Sequence, residues 1–121
     1  MKKRFKIGYF ADGPWSHQAF ERIIKDESIK IEFIVPRSDT SDQTLLNYSN
    51  KYKIPYFREI KINSDEFYEI ASTYACDLFV SMSFNQIFRK KIIYVLPFNR
   101  LTISLYFAKG DILNGCEHDL Y

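Results

Sequence analysis

The alternation of strand-like and helix-like segments over the first hundred residues most constrains how this chain can fold. Residues 5–10 (FKIGYF) form a short apolar run that Asp12-Gly13-Pro14 ends, and residues 29–35 (IKIEFIV) form a second run that Pro36 ends. Between them lies a predicted helix capped by Ser16, with apolar residues at helical spacing at Ala19, Phe20, Ile23 and Ile24. Strand, helix and strand in this order predict a parallel pair joined by a right-handed crossover.

The same alternation continues through the middle of the chain. Asp42 is expected to cap a helix that runs through Lys51, and residues 54–57 are expected to be extended. Asn63 and Glu66 have the spacing of a capping box at the start of the next helix. Residues 77–82 predict a third strand, the most central one by its apolar run. Residues 85–95 predict a last helix, whose inward-facing side chains are Ile87, Phe88, Ile92 and Val95.

This order predicts an α/β fold, a Rossmann-like, open and mostly parallel sheet with helices on both faces. Ligands of such sheets bind outside the carboxyl ends of the strands, here expected at residues 12–16, 36–39 and 83–86. Arg37 and Asp39 would lie within reach of such a ligand. We expect one α/β domain over residues 1–100, followed by a divergent or truncated segment over residues 101–121.

Composition excludes several classes of partner. Lys plus Arg total 17 and Asp plus Glu total 15, so a net charge of +2 gives no reason to expect nucleic acid. The sequence contains no run of about 18 apolar residues, so it predicts no membrane span. The charged start of the chain precedes no apolar run, which argues against a signal peptide. We therefore expect a cytoplasmic protein that keeps Cys76 and Cys116 reduced.

Familiar chemical motifs are missing from the sequence. It contains neither G-x-G-x-x-G nor the phosphate-binding G-x-x-x-x-G-K-[ST], and Asp77 lies at a strand start, which argues against a phosphoacceptor. His118 stands among Cys116, Glu117 and Asp119, but a solvated tail is favoured there and no metal is predicted. His17 is open to two interpretations, a surface or capping residue or a ligand contact. Trp15 either packs or stacks on a ligand ring.

Two segments carry a resemblance to a known family: residues 6–17 (KIGYFADGPWSH) and residues 76–88 (CDLFVSMSFNQIF). The second resembles the D-L-h-V-x-x-x-F/Y-x-Q/R-I-L/F segment of the formyltransferases, where h is apolar. That family includes the enzymes acting on methionyl-tRNA, on glycinamide ribonucleotide and on sugars. The resemblance spans residues 5–97 and is closest to the sugar N-formyltransferases, which implies formyl transfer from 10-formyltetrahydrofolate to a nucleotide-linked amino sugar.

The resemblance also implies a binding site. The family's matching segment lines a slot for the pterin ring, which an apolar strand end with converging backbone groups suits well. The implied folate-binding residues are Met82, Phe84, Asn85, Gln86, Ile87 and Phe88. On the residues alone, Met82, Ile87 and Phe88 would instead be ordinary core. Candidate substrate-binding residues are Trp15, with Lys109 and Asn114 in the stretch that aligns with the family's substrate loop.

The sequence departs from the family where the chemistry lies. The family's catalytic strand reads Asn-x-His, with a later Asp, and one alignment places Ser104 and Tyr106 there. A second alignment deletes that strand, so no catalytic residue is assigned. A hydroxyl cannot replace imidazole as a base of near-neutral pKa. We expect a formyltransferase-like chain that is inactive alone, a non-catalytic folate- or nucleotide-binding module, or a frameshift fragment; a homodimer stays open.

Overall fold

Strands and helices alternate along the chain as the hydrophobic pattern predicts. The structure is a computed structural model, and it describes residues 4–96. Its elements are β1 (Phe5–Ala11), α1 (Pro14–Ile24), β2 (Ile29–Val35), α2 (Thr44–Tyr52), α3 (Asp65–Tyr74), β3 (Leu78–Met82) and α4 (Lys90–Ile93). The three strands form one parallel sheet in the order β2-β1-β3. This confirms the predicted Rossmann-like α/β fold, while the prediction for residues 101–121 lies outside the described residues.

The middle strand of the described sheet is β1, so the prediction that β3 is most central was wrong. β1 pairs with β2 from Phe5 opposite Ile29 onward, and with β3 from Ile7 opposite Leu78 to Ala11 opposite Met82. The apolar run of β3 reflects burial on both faces of the sheet, which a strand beside the middle one also has.

Each face of the sheet carries its own core. Helices α1 and α2 cover one face, where Tyr9, Phe20 and Leu45 are buried. Helices α3 and α4 cover the other, where Phe10 is wholly buried and its ring lies 4.8–5.8 Å from five others. Those rings belong to Phe33, Phe67, Phe79, Phe84 and Phe88. Most of these pairs meet edge to face, the arrangement that aromatic quadrupoles favour.

A bulge in β2 changes which core the side chains at the end of this strand enter. Ile7 pairs with Ile31 but Gly8 pairs with Phe33, so Glu32 is an extra residue without a partner in β1. A Cβ atom at Gly8 would lie 2.6 Å from the Phe33 ring. Gly8 is therefore required for the close approach of that ring to β1.

Three helix starts differ slightly from their predictions. Ser16 does not cap α1, which begins at Pro14; its hydroxyl lies in the first turn and donates to the Gly13 carbonyl at 2.7 Å. The N-cap of α2 is Gln43, although Asp42 accepts a hydrogen bond from the Thr44 N–H at 2.8 Å. The α3 cap is Ser64 rather than Asn63, and its hydroxyl accepts from the Phe67 N–H at 3.1 Å.

The predicted helix over residues 85–95 is the largest error of the sequence analysis. Only Lys90–Ile93 is helical, and residues 84–89 form an irregular segment after Ser83, whose φ of 55° turns the chain away from β3. Gln86 fixes this segment by bonding the Ile62 N–H and the Ile60 carbonyl, each at 2.9 Å. These bonds join residues 24 and 26 positions apart, which local periodicity does not register.

Among residues 4–96, no helix has the length and apolar character needed to cross a membrane.

Candidate functional site

An open cleft of about 330 Å³ lies at the carboxyl ends of the strands. Loops after all three strands contribute to it, as the sheet topology predicts. Because β2 and β3 lie on opposite sides of β1, the chain reverses its winding direction here, and such a reversal opens a crevice. The lining residues are Asp12, Gly13, Arg37, Asp39, Thr40, Ser41, Asp42 and Ser83.

Asp12 lies where the three strands meet and is only 6% exposed. Its backbone N–H donates to the Met82 carbonyl at 3.2 Å. One carboxylate oxygen accepts from the Gly13 N–H at 2.8 Å, and the other accepts from the Arg37 N–H at 3.2 Å. The carboxylate is therefore held in a fixed orientation at the base of the cleft.

The turn between β1 and α1 positions the next part of the site. Gly13 has φ 87° and ψ 169°, a region open essentially to glycine alone, and its carbonyl accepts hydrogen bonds from the first turn of α1. The buried Tyr9 hydroxyl donates to the Ser16 carbonyl at 2.7 Å. Pro14 at the helix start supplies a preset φ. Together these groups fix the direction in which α1 leaves the cleft.

Arg37 and Asp39 form an ion pair on the β2 side of the cleft, with 3.1 Å between Nε and Oδ1. The hydrogen bond from Arg37 lowers the pKa of the Asp39 carboxyl. Asp39 therefore stays ionised at neutral pH, and Arg37 directs its charge to this partner. The sequence analysis placed both residues near the ligand, and both line the cleft.

His17 meets Asp42 across the top of α1, with 3.4 Å between Nε2 and Oδ2. The Nε2 atom is shielded from solvent yet has no hydrogen-bond partner in the structure. One ligand atom from each of Asp12, His17 and Asp42 lies within 4.8 Å of the others. Sequence reasoning considered His17 singly and Asp42 only as a cap, since their separation in the chain hides the cluster.

The six implied folate-binding residues divide into two groups. Met82 and Phe88 are buried and Phe84 packs against the core, so their side chains act mainly in packing. Ile87 is 58% exposed, contrary to its predicted inward position. Asn85 is exposed and its Nδ2 lies 3.5 Å from the Ser38 hydroxyl, in the loop that borders the cleft.

Asn63 and Gln86 attach the irregular segment to the loop before α3. Asn63 donates to the Ile87 carbonyl at 2.7 Å and accepts from the Arg89 N–H at 3.0 Å. Both ends of the Gln86 amide bond the backbone of residues 60 and 62. Gln86 therefore positions the irregular segment against the loop before α3.

Trp15 is 66% exposed in the first turn of α1, so the packing alternative is not realised among the described residues. Lys109, Asn114 and the cluster at residues 116–119 lie outside the described residues, as do both alternative alignments of the catalytic strand.

A scan against models of known protein families finds no match for this chain. A search of curated proteins finds no match either.

Proposed function

We propose that the described residues form a formyltransferase-type domain that binds a reduced folate at the carboxyl ends of its strands. The observation that carries the proposal is the cleft bounded by Asp12, Arg37 and Ser83, one residue from the loop after each strand. The lineage activity would be transfer of a formyl group from 10-formyltetrahydrofolate to the amine of a nucleotide-linked amino sugar.

The charge of the cleft favours one end of a folate over the other. Asp12, Asp39 and Asp42 line it, and Arg37 is the cation among its lining residues. Carboxylates accept hydrogen bonds and cannot donate them when ionised. They suit the N–H groups on the edge of a pterin ring, whereas the glutamate tail of a folate would be repelled.

The irregular segment after β3 supports the same ligand. A helix over residues 84–89 would have used their peptide groups in its own hydrogen bonds. The segment is irregular instead, and Asn63 bonds its Ile87 carbonyl and Arg89 N–H. Its other N–H and carbonyl groups can meet a ring edge. Exposed Trp15, two residues after the cleft residue Gly13, offers apolar surface for a flat ring.

The sequence favours folate binding without formyl transfer. The family's Asn-x-His pair has no counterpart, and the loss of one oxyanion donor alone costs about 10²–10³ in rate. We therefore propose a non-catalytic or catalytically impaired folate-binding chain.

Isothermal titration with folinic acid tests the binding. We expect measurable heat with the full chain, and about 2–10-fold weaker binding for Trp15→Ala if its ring stacks on the ligand. The matched control is Tyr52→Ala, since Tyr52 is 39% exposed at the opposite, amino end of the sheet beside Arg4 and Ile31.

Absence of heat at millimolar folinic acid, with no thermal shift, would reject the proposal. Equal weakening by the two variants would reject the position of the site. Formyl transfer by the chain alone, measured with 10-formyltetrahydrofolate and an amino sugar nucleotide, would contradict the non-catalytic assignment.

A further inference from the structure

Three potential metal ligands converge at the edge of the cleft. They are the carboxylates of Asp12 and Asp42 and the imidazole of His17, whose ligand atoms all lie within 4.8 Å of one another. We propose that they bind a divalent transition-metal ion of the Zn²⁺ type. This inference goes beyond the proposed folate binding and does not depend on it.

The first argument is the unpartnered Nε2 atom of His17. This atom is shielded from solvent, and a buried polar atom without a partner is costly. Its nearest ionisable neighbour is a carboxylate oxygen of Asp42, which carries only lone pairs when ionised. If Nε2 carries a lone pair, two electron-rich atoms face each other, and a cation between them would make the arrangement favourable. If it carries a proton, His17 and Asp42 form an ion pair at 3.4 Å but no hydrogen bond.

The second argument is the distance between these two atoms. Two ligands bound at about 2.0–2.1 Å to one tetrahedral ion are about 3.3–3.5 Å apart. The His17 Nε2 and Asp42 Oδ2 atoms are 3.4 Å apart. This separation is long for a hydrogen bond but is the one that a shared metal ion would impose.

The third argument is that both carboxylates are already oriented by hydrogen bonds. Asp12 accepts from the N–H groups of Gly13 and Arg37, and Asp42 accepts from that of Thr44 through Oδ1. The bond to Asp42 leaves its Oδ2 atom directed at His17. Supporting bonds of this kind fix ligating carboxylates and increase metal affinity.

The donor set indicates which ions would bind. One imidazole nitrogen with carboxylate oxygens suits Zn²⁺, Co²⁺ or Mn²⁺, whereas Mg²⁺ and Ca²⁺ prefer oxygen ligands alone. Three protein ligands leave a tetrahedral ion one further position for water or another small ligand. Because Asp12 and Asp42 line the cleft, that position would be accessible from it.

The experiment uses the full chain without an affinity tag, carrying Cys116→Ser and His118→Gln. These substitutions remove potential ligands outside the described residues. The sequence has two histidines, and His17 is the one that remains. Zn²⁺ is titrated into this chain in the absence of folate and followed by calorimetry. Proton–nitrogen correlation spectra of the imidazole ring report which nitrogen binds the ion.

We expect one equivalent of Zn²⁺ to bind, with a shift of the His17 Nε2 resonance, and Mg²⁺ to cause no such shift. His17→Gln and Asp42→Asn should each weaken Zn²⁺ binding by at least 10–100-fold, since even a supporting residue has about that effect. The matched control is Asp39→Asn, because Asp39 lines the same cleft but lies outside the cluster. It should bind Zn²⁺ within about threefold of the parent chain.

Three results would overturn the proposal: an unshifted Nε2 resonance at millimolar Zn²⁺, equal binding by His17→Gln and the parent chain, or equal weakening by Asp39→Asn and His17→Gln. The spectrum of the parent chain tests the site without any variant of the cluster, so a variant that fails to fold leaves the test intact. Failure of folate binding would leave these readings unchanged.

Discussion

The aromatic core beneath the sheet and the polar cleft at its carboxyl end use their side chains in opposite ways. Phe10 is surrounded by five rings, and all its contacts serve packing. Asp12, two residues later, is fixed by backbone N–H groups and still has lone pairs directed at the cleft. Stability therefore depends on the first region and the proposed binding on the second, although Phe10 and Asp12 are only two residues apart.

The strongest test of this contrast removes the central ring of the core. Phe10→Ala should lower the free energy of unfolding by about 3–5 kcal/mol, because a wholly buried Phe loses both transfer energy and its packing. Chemical denaturation followed by circular dichroism measures the loss. The control is Phe5→Ala in the same strand, where the side chain is 43% exposed. Equal effects of the two substitutions would contradict the central role of Phe10.

The labelling rate of the Cys76 thiol tests whether this side chain is buried in the core. Burial raises the pKa of this thiol from 9.0 to about 12. Thiolate is the reactive form and becomes tenfold rarer for each unit by which the pKa rises, so labelling at pH 7.5 should be about 10³-fold slower than in the unfolded chain. The rate should increase with pH toward the raised pKa. A disulfide reagent on the Cys116→Ser chain gives the rate, and similar rates with and without denaturant would refute the burial.

Gly8 tests how closely the core approaches the sheet. Gly8→Ala should cost about 1–3 kcal/mol of unfolding free energy, since the added Cβ would lie 2.6 Å from a Phe33 ring held by its neighbours. Adding Phe33→Leu to this variant should make the combined loss smaller than the sum of the two single losses. Simple additivity in this double-mutant cycle would show that the two sites do not interact.

Removing the cap at the start of α3 should have a smaller effect on stability than the changes in the core. Ser64→Ala should cost about 1 kcal/mol because the Phe67 N–H loses its cap. Ser72→Ala in the same helix serves as control, since its hydroxyl donates only to the Tyr68 carbonyl one turn earlier. Thermal unfolding of the pair measures the difference, and an equal change in both would exclude a capping role.

The first turn of α1, next to the cleft residue Gly13, should show the smallest effect on stability. Trp15→Ala should change the unfolding free energy by no more than about 0.5 kcal/mol, because its ring is 66% exposed. Phe20→Ala, in the same helix but buried, should cost several times more. A large loss from Trp15→Ala would mean that this ring belongs to the core.

The sequence predicted the fold well where local pattern and burial agree. The runs at residues 5–10 and 29–35 became β1 and β2 because apolar, β-branched and aromatic residues bounded by Pro and Gly leave few alternatives. The position of the cleft followed from the topology alone. The cap of α3 was misplaced by one residue because Asn63 and Ser64 are both good caps, and Asn63 is used instead to bond Ile87 and Arg89.

The site itself was predicted only in outline, for a physical reason. Residues 85–95 have helical spacing of apolar residues, but Asn63 bonds the Ile87 carbonyl and the Arg89 N–H, two backbone groups that a helix would otherwise use. The Gln86 side chain adds bonds to the backbone of residues 60 and 62. The meeting of His17 with Asp42 depends on where α1 and the loop before α2 come together in space. Neither contact leaves a local pattern in the chain, so only the folded structure reveals them.

The extra residue in β2 decides which core each side chain at the end of this strand enters. Before Glu32 the strand sends Ile31 into the core under α1 and α2, and after it Phe33 and Val35 enter the opposite core. Removing Glu32 would bring Phe33 directly after Ile31 and leave both side chains facing their present cores. If Glu32 instead paired opposite Gly8, the rest of the strand would shift by one position and Phe33 would face the other core. The unpaired residue therefore sets which side chains at the end of β2 each layer of helices packs against.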